Sequence, residues 1–119
     1  MSTSKPTAGA AQRTFTKAEL AQFDNSDESK PVYLAIKGIV FDVSSNRSMY
    51  PHGSGYGVFA GKDASRALAK SSLDKEHCVP QWKDLPADEL KVLNDWFAFY
   101  EKKYPIVGRV ADGSSELAE

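Results

Sequence analysis

With 119 residues, the chain has room for one hydrophobic core and not for two domains. A composition of 41% hydrophobic and 26% charged residues is that of an ordinary water-soluble globular protein and excludes disorder throughout. Lys and Arg number 15 against 16 Asp and Glu, a net charge of −1 that lacks the basic footprint of a nucleic-acid binder.

Met1 to Arg13 is made of Ser, Thr, Ala, Gly, Pro and Lys without periodicity, so it buries too little apolar surface to offset its ordering entropy and is expected to be a disordered tail. It has no apolar signal-peptide core, and no stretch of the chain approaches the ~18 apolar residues of a membrane span. Cys78 is the single cysteine, so no internal disulfide can form and a reducing, cytoplasmic setting is expected. Order is predicted to begin at Phe15. Thr16 and Glu19 have the spacing of a capping box, a hydroxyl and a carboxylate that satisfy the first free N–H groups of a helix over Lys17 to Phe23. Two β-branched apolar runs, Val32 to Ile36 and Ile39 to Val43, flank Lys37-Gly38 and predict a β-hairpin.

Ser44 to Gly61 mixes glycines with Tyr50, Tyr56 and Phe59, too loop-like for regular core structure and too aromatic for a linker, which is the composition of a site-lining loop. The alanine-rich Lys62 to Lys70 segment predicts a helix, and Asp74 to Leu85 reads as irregular. Within that segment Trp82 either covers the core edge or faces a partner. Leu90, Leu93, Trp96, Phe97 and Tyr100 recur at helical spacing and predict an amphipathic helix from Ala87 to Lys103, with Leu93, Trp96 and Phe97 as core. Pro105 ends it, Ile106 to Val110 reads as a last strand, and Asp112 to Glu119 as a fraying tail. No nucleophile–base pair, phosphate loop or paired-carboxylate motif can be singled out, so an enzyme is not expected.

Tyr50-Pro51-His52-Gly53-Ser54-Gly55-Tyr56 runs directly into Gly57-Val58-Phe59-Ala60-Gly61-Lys62-Asp63-Ala64-Ser65-Arg66. This stretch closely resembles the signature of the membrane-associated progesterone receptor family, which leads a Gly-rich loop into Tyr-x-x-Phe-Ala-Gly-x-Asp-Ala-Ser-Arg. Phe15-Thr16, Gly38-x-Val40-Phe41-Asp42-Val43, Asn94-Asp95-Trp96 and Lys103-Tyr104-x-x-Val107-Gly108 extend the resemblance over Phe15 to Val110. It implies an α+β chain with the cytochrome b5-like haem/steroid-binding fold, a small mixed sheet with helices forming a haem crevice. That domain occupies residues 14–111 between a tail at 1–13 and another at 112–119.

The resemblance further implies ferric haem b held by a tyrosinate at Tyr56, with Tyr50 beside it and Lys103 and Tyr104 at the pocket edge. A ferric ion favours the anionic form of a phenol whose ordinary pKa is near ~10, and the hard phenolate in turn favours Fe(III), making a poor electron shuttle. Taken without the resemblance, Tyr56 and Tyr50 read as packing residues, and Lys103 with Tyr104 as a dipole-compatible cation and a surface aromatic. Asp63 falls on an acidic position of the signature, with a helix-dipole role as the alternative.

Neither His52 nor His77 sits in the His-Pro-Gly-Gly sequence of a bis-histidine clamp. His52, where the family has Tyr-Gly-Pro-x-Gly, reads as a solvated loop residue, with a sixth ligand or pH-sensitive neighbour as the alternative. Cys78 reads as an inert thiol. The implied function is a haem-binding regulator or haem-delivery partner of haem-thiolate monooxygenases in sterol metabolism, reaching the endoplasmic reticulum through partners and dimerising through an open haem face. The competing readings are a haem-free steroid-binding or protein-interaction domain and a cytochrome b5-type electron carrier.

Overall fold

The computed structural model describes residues 13–52, 55–79 and 81–111. Residues 1–12 of the tail expected over 1–13, the tail expected over 112–119, and Gly53, Ser54 and Pro80 lie outside the described residues. Arg13 already joins the fold, its carbonyl accepting the Arg109 N–H at 2.8 Å. Strand β1 (Thr14–Phe15) leads into helix α1 (Lys17–Ala21), which starts on the predicted capping box. Glu19 N donates to Thr16 Oγ1 at 3.0 Å and Thr16 N to Glu19 Oε1 at 2.8 Å.

Strands β2 (Tyr33–Ile36) and β3 (Ile39–Asp42) form the predicted hairpin. Its two turn residues, Lys37 and Gly38, have φ of 55° and 78°, the doubly positive pair whose twist matches that of the flanking strands. After three short 3₁₀ turns and helix α2 (Ser65–Ala69), helix α3 (Ala87–Lys103) and strand β4 (Ile106–Val110) close the chain on their predicted bounds. The four strands lie in the order β1-β4-β3-β2, with β1 parallel to β4 and the other pairs antiparallel.

Alternation along the hairpin sends Val32, Leu34, Ile36, Ile39, Phe41 and Val43 to the face packed against α2 and α3. Tyr33, Ala35 and Val40 point the other way, onto Phe15, Leu20 and Val110. Both faces are covered, which is why the strands read as continuous apolar runs.

Helix α2 is shorter than the predicted Lys62 to Lys70 because its first residues pair with a strand instead. Ala35 N donates to Lys62 O at 2.9 Å and Ala64 N to Ala35 O at 2.8 Å, a short parallel bridge along the edge of β2. Asp63 then seats the helix start, accepting Ser65 N at 3.0 Å and Gly38 N at 2.9 Å.

Candidate functional site

A crevice of about 560 Å³ opens between α3, α2 and the two 3₁₀ turns Ser44–Met49 and Gly55–Phe59. That volume suits one small organic group. Helix α3 supplies Trp96, Phe99, Tyr100 and Lys103, a stripe at helical spacing. Tyr104 follows where Pro105 stops the helix. The helix carries Asp88 and Glu89 in its first turn and Lys102 and Lys103 in its last, as its dipole favours.

Tyr56 stands at the mouth, 45% exposed, its ring stacked on Phe59 at 6.0 Å and 17°. Its hydroxyl has no hydrogen-bond partner among the described residues. Among the described residues the exposed large hydrophobics are Met49, Tyr56, Leu73 and Phe99, and all four line this one crevice. Scattered apolar surface needs no explanation, but a set converging on one concavity marks a binding site.

The deeper wall is phenolic. Tyr50 and Tyr100 are buried, with their hydroxyl oxygens 2.8 Å apart, and Asn46 Nδ2 donates to Tyr104 Oη at 3.0 Å. Burial, followed by the neighbouring Tyr100 charge and hydrogen bond, pushes the Tyr50 phenol well above its ordinary range. Burial also pushes Tyr100 up to about 12. Lys103 Nζ lies 5.5 Å from the Phe99 ring centre and 5.8 Å from that of Tyr104, a cation held over aromatic faces at the crevice edge.

The loop carrying Tyr50 is held from a distance. Asn25, itself at φ 69°, donates through Nδ2 to Arg47 O at 3.2 Å and Tyr50 O at 2.8 Å, and accepts the Arg47 guanidinium at 2.9 Å. Gly57 is required by contact: a Cβ there would meet Pro51 O at 1.6 Å.

The fold thus brings Tyr50, Tyr56, Lys103 and Tyr104 together, and it does not bring Asp63 to them. That carboxylate is buried beside β2, occupied by Gly38 N, Ser65 N and Ser65 Oγ, so it serves the turn and the start of α2 and not the crevice. His52 also stays away, its Nε2 3.3 Å from Asp24 Oδ2, in keeping with a loop residue. His77 pairs through Nδ1 with Ser72 Oγ at 2.9 Å and does not line the crevice. Cys78 is buried, donates to Val58 O at 3.2 Å and is pushed up to about 11 by burial, the state of an inert thiol.

Trp82 packs against the core, with Lys37 Nζ 4.8 Å from its ring. Trp96 was expected in the core and instead has two duties: it touches the core edge and lines the crevice. Phe97, its neighbour, turns inward onto Phe41 at 5.7 Å. Tyr100 was read only as part of the apolar stripe; its hydroxyl was the signal that it faces something polar. Asn25 and Arg47 carried no local signal.

Comparison with known proteins places this geometry. Residues 16–111 match the family described as cytochrome b5-like haem/steroid-binding domain. Probable steroid-binding protein 3 of Arabidopsis thaliana is 52% identical over 96 residues, covering 81% of this chain and 96% of that one. Membrane steroid-binding protein 2 of the same plant is 44% identical over 104 residues, 87% of this chain and 45% of that one. Human neuferricin is 43% identical over 101 residues, 85% of this chain and 38% of that one. The chain therefore spans less than half of the latter two relatives. An Arabidopsis thaliana structure described as having a cytochrome b5 like fold superposes with a TM-score of 0.77 at 50% identity, covering 85% of this chain and 93% of that one. Among the described residues no helix is long and apolar enough to cross a membrane.

Proposed function

Since the chain belongs to the cytochrome b5-like haem/steroid-binding domain family, whose membrane steroid-binding members it resembles along its length, we propose that its crevice holds ferric haem through the phenolate of Tyr56. The observation that carries this reading is the exposed Tyr56 ring on Phe59, its hydroxyl unpaired among the described residues, at the mouth of an apolar concavity. The donor set suits the group: a hard oxygen ligand for a ferric ion, flat aromatic walls and a cation at the edge.

Tyr50 and Tyr104 line the wall, and Lys103 offers its charge to a propionate or to the phenolate. Bound there, haem supplies a centre that resists reduction, which suits regulation or haem delivery better than electron carriage. The acceptors we propose are haem-thiolate monooxygenases of sterol metabolism, met at the endoplasmic reticulum by a cytoplasmic chain. The apolar rim of Met49, Leu73 and Phe99 is the surface through which a partner or a second haem-loaded copy would dock. Equal masses with and without haem in analytical ultracentrifugation would exclude the dimer.

The test is a titration of the haem-free chain with ferric haem, for the native sequence and Tyr56→Phe. A saturable Soret band with a high-spin tyrosinate pattern, lost in the variant, supports the reading. An unchanged variant spectrum moves the ligand elsewhere. The second reading, a haem-free site for a steroid or other apolar ligand, is favoured by the crevice's apolar lining and by the steroid-binding names of the relatives. Absence of saturable haem binding would select it.

A further inference from the structure

The corner at Asp24 and Asn25 lines no part of the crevice, yet it meets the chain on both sides of Tyr56. Upstream, Asn25 holds the Tyr50 carbonyl. Downstream, Gly61 backs onto Asp24 so closely that an added Cβ would stand 2.7 Å from the Asp24 Cβ. Asp24 also faces His52 at 3.3 Å, an exposed pair that contributes little. The corner is itself fixed to β2: Phe23 O accepts Tyr33 N at 3.1 Å, and Tyr33 O accepts Gly61 N at 2.7 Å.

The Asn25 side chain is fully used. An amide has two N–H donors and one oxygen with two acceptor positions. The donors go to Arg47 O at 3.2 Å and Tyr50 O at 2.8 Å, and the oxygen takes Arg47 Nε at 3.2 Å and Nη2 at 2.9 Å. Arg47 Nη2 reaches on to Lys30 O at 2.9 Å. Asn25 stands at φ 69°, a region that most L-residues avoid and Asn tolerates.

The turn held in this way is irregular. Ser44–Met49 is broken at Asn46, with φ −124° and ψ 35°, and no side chain caps its start. Asn46, Met49 and Tyr50 of this stretch all line the crevice. A wall already ordered when a ligand arrives spares the complex the cost of ordering it.

We infer that Asn25 is a positioning residue for the crevice: from outside it, the amide holds the Tyr50 carbonyl and the Arg47 turn, so that the wall beside Tyr56 is set before a ligand binds. For the identity of that ligand this rests on the haem reading above.

The experiment titrates ferric haem into the native chain, Asn25→Gly, Asn25→Asp and Asp63→Asn, at a temperature where all four are folded, and follows melting of the haem-free proteins. Asn25→Gly accepts φ 69° without strain and removes all four side-chain bonds, so it isolates the amide. It should bind about tenfold more weakly, with native stoichiometry and the native tyrosinate band. Asn25→Asp still offers oxygen to Arg47 but has no N–H for Tyr50 O, so it should lose about as much affinity. Asp63→Asn is the control for lost stability alone, since Asp63 serves the hairpin turn and α2, and its affinity should stay within twofold.

Affinity within twofold of native in Asn25→Gly overturns the inference. So does native affinity in Asn25→Asp, which would remove the Tyr50 bond from the account. A loss in Asp63→Asn matching that in Asn25→Gly would reduce the effect to general destabilisation, and overturns it too. No saturable haem binding by the native chain overturns the haem reading and this role together, whereas Tyr56-dependent binding that Asn25→Gly leaves unchanged overturns this role alone.

Discussion

The substitution Gly57→Ala tests whether the loop before Tyr56 is held as the structure has it. The added methyl carbon would lie 1.6 Å from Pro51 O and 2.5 Å from Pro51 C, both backbone atoms that no side-chain rotation can clear. To restore an ordinary contact, the strands of the loop must part by about 1.4 Å or more, since separations under 3.0 Å are essentially never seen. That movement pulls on the bonds that fix the loop: Asn25 Nδ2 to Tyr50 O at 2.8 Å, Tyr50 N to Arg47 O at 3.0 Å and Ala60 N to Gly57 O at 3.1 Å.

Overpacking costs ~1–3 kcal/mol and each lost hydrogen bond ~0.5–1.5 kcal/mol, so the expected destabilisation is ~2–4 kcal/mol. For a domain of this size that lowers the melting temperature by roughly 10–20 °C. Urea and thermal unfolding of the haem-free chain measure it, and ferric haem titration reports the displaced Tyr56 as at least a tenfold loss of affinity. Gly55→Ala is the control, because Gly55 has φ 53° and no atom within 4 Å of an added Cβ. It should cost only the ~1–2 kcal/mol of a left-handed L-residue. A Gly57→Ala protein within ~0.5 kcal/mol of native stability, with native haem affinity, would refute the close approach of Pro51 and the role given to it.

Asp63→Asn should lower stability by ~1–3 kcal/mol, because it replaces one buried acceptor oxygen by an amide that cannot accept from the backbone N–H it faces, while the folded fraction keeps its haem affinity within twofold by titration. His52→Ala should leave the haem spectrum and affinity unchanged at neutral pH, since the imidazole faces Asp24; a tenfold loss would instead make His52 part of the site. Alkaline pH should destabilise the haem-free fold. The Cys78 thiol and the Tyr100 phenol hold their protons to about 11 and about 12, whereas the unfolded chain releases them near 9.0 and 10.0. Stability contributed by these raised groups is complete below the unfolded values and falls between pH 9 and 12, so Cys78→Ala should flatten the decline of melting temperature between pH 9 and 11.

Most of the frame was legible because the signals are local. The Thr16–Glu19 box, the Lys37-Gly38 turn and the stripe of α3 each work within a few residues. The start of α2 was not, because Lys62 and Ala64 give their backbone groups to Ala35, a partner far off in sequence that overrides the helical propensity of an alanine-rich run. Asn25 was invisible for the same reason: its bonds to Arg47 and Tyr50 span 22 and 25 positions. Asp63 looked like a site residue by its place in the signature, yet its oxygens are taken by the hairpin turn and Ser65.

Helix α3 shows how a frame and a site share one sequence. Apolar periodicity sorts residues into covered and uncovered faces, but it does not say whether a covering element or a ligand lies opposite. Leu93 is fully buried and Phe97 meets Phe41 on the sheet, whereas Trp96, Phe99 and Tyr100 turn about one helical step further round and line the crevice. The side of the helix that faces the crevice ends in Lys103 and includes a tyrosine where a phenylalanine would pack as well. Packing alone has no use for the Tyr100 hydroxyl, whose desolvation is unfavourable unless an acceptor meets it. Its partner is the buried Tyr50 hydroxyl 2.8 Å away, so this one position serves the apolar stripe of the helix and a polar pair in the crevice wall at once.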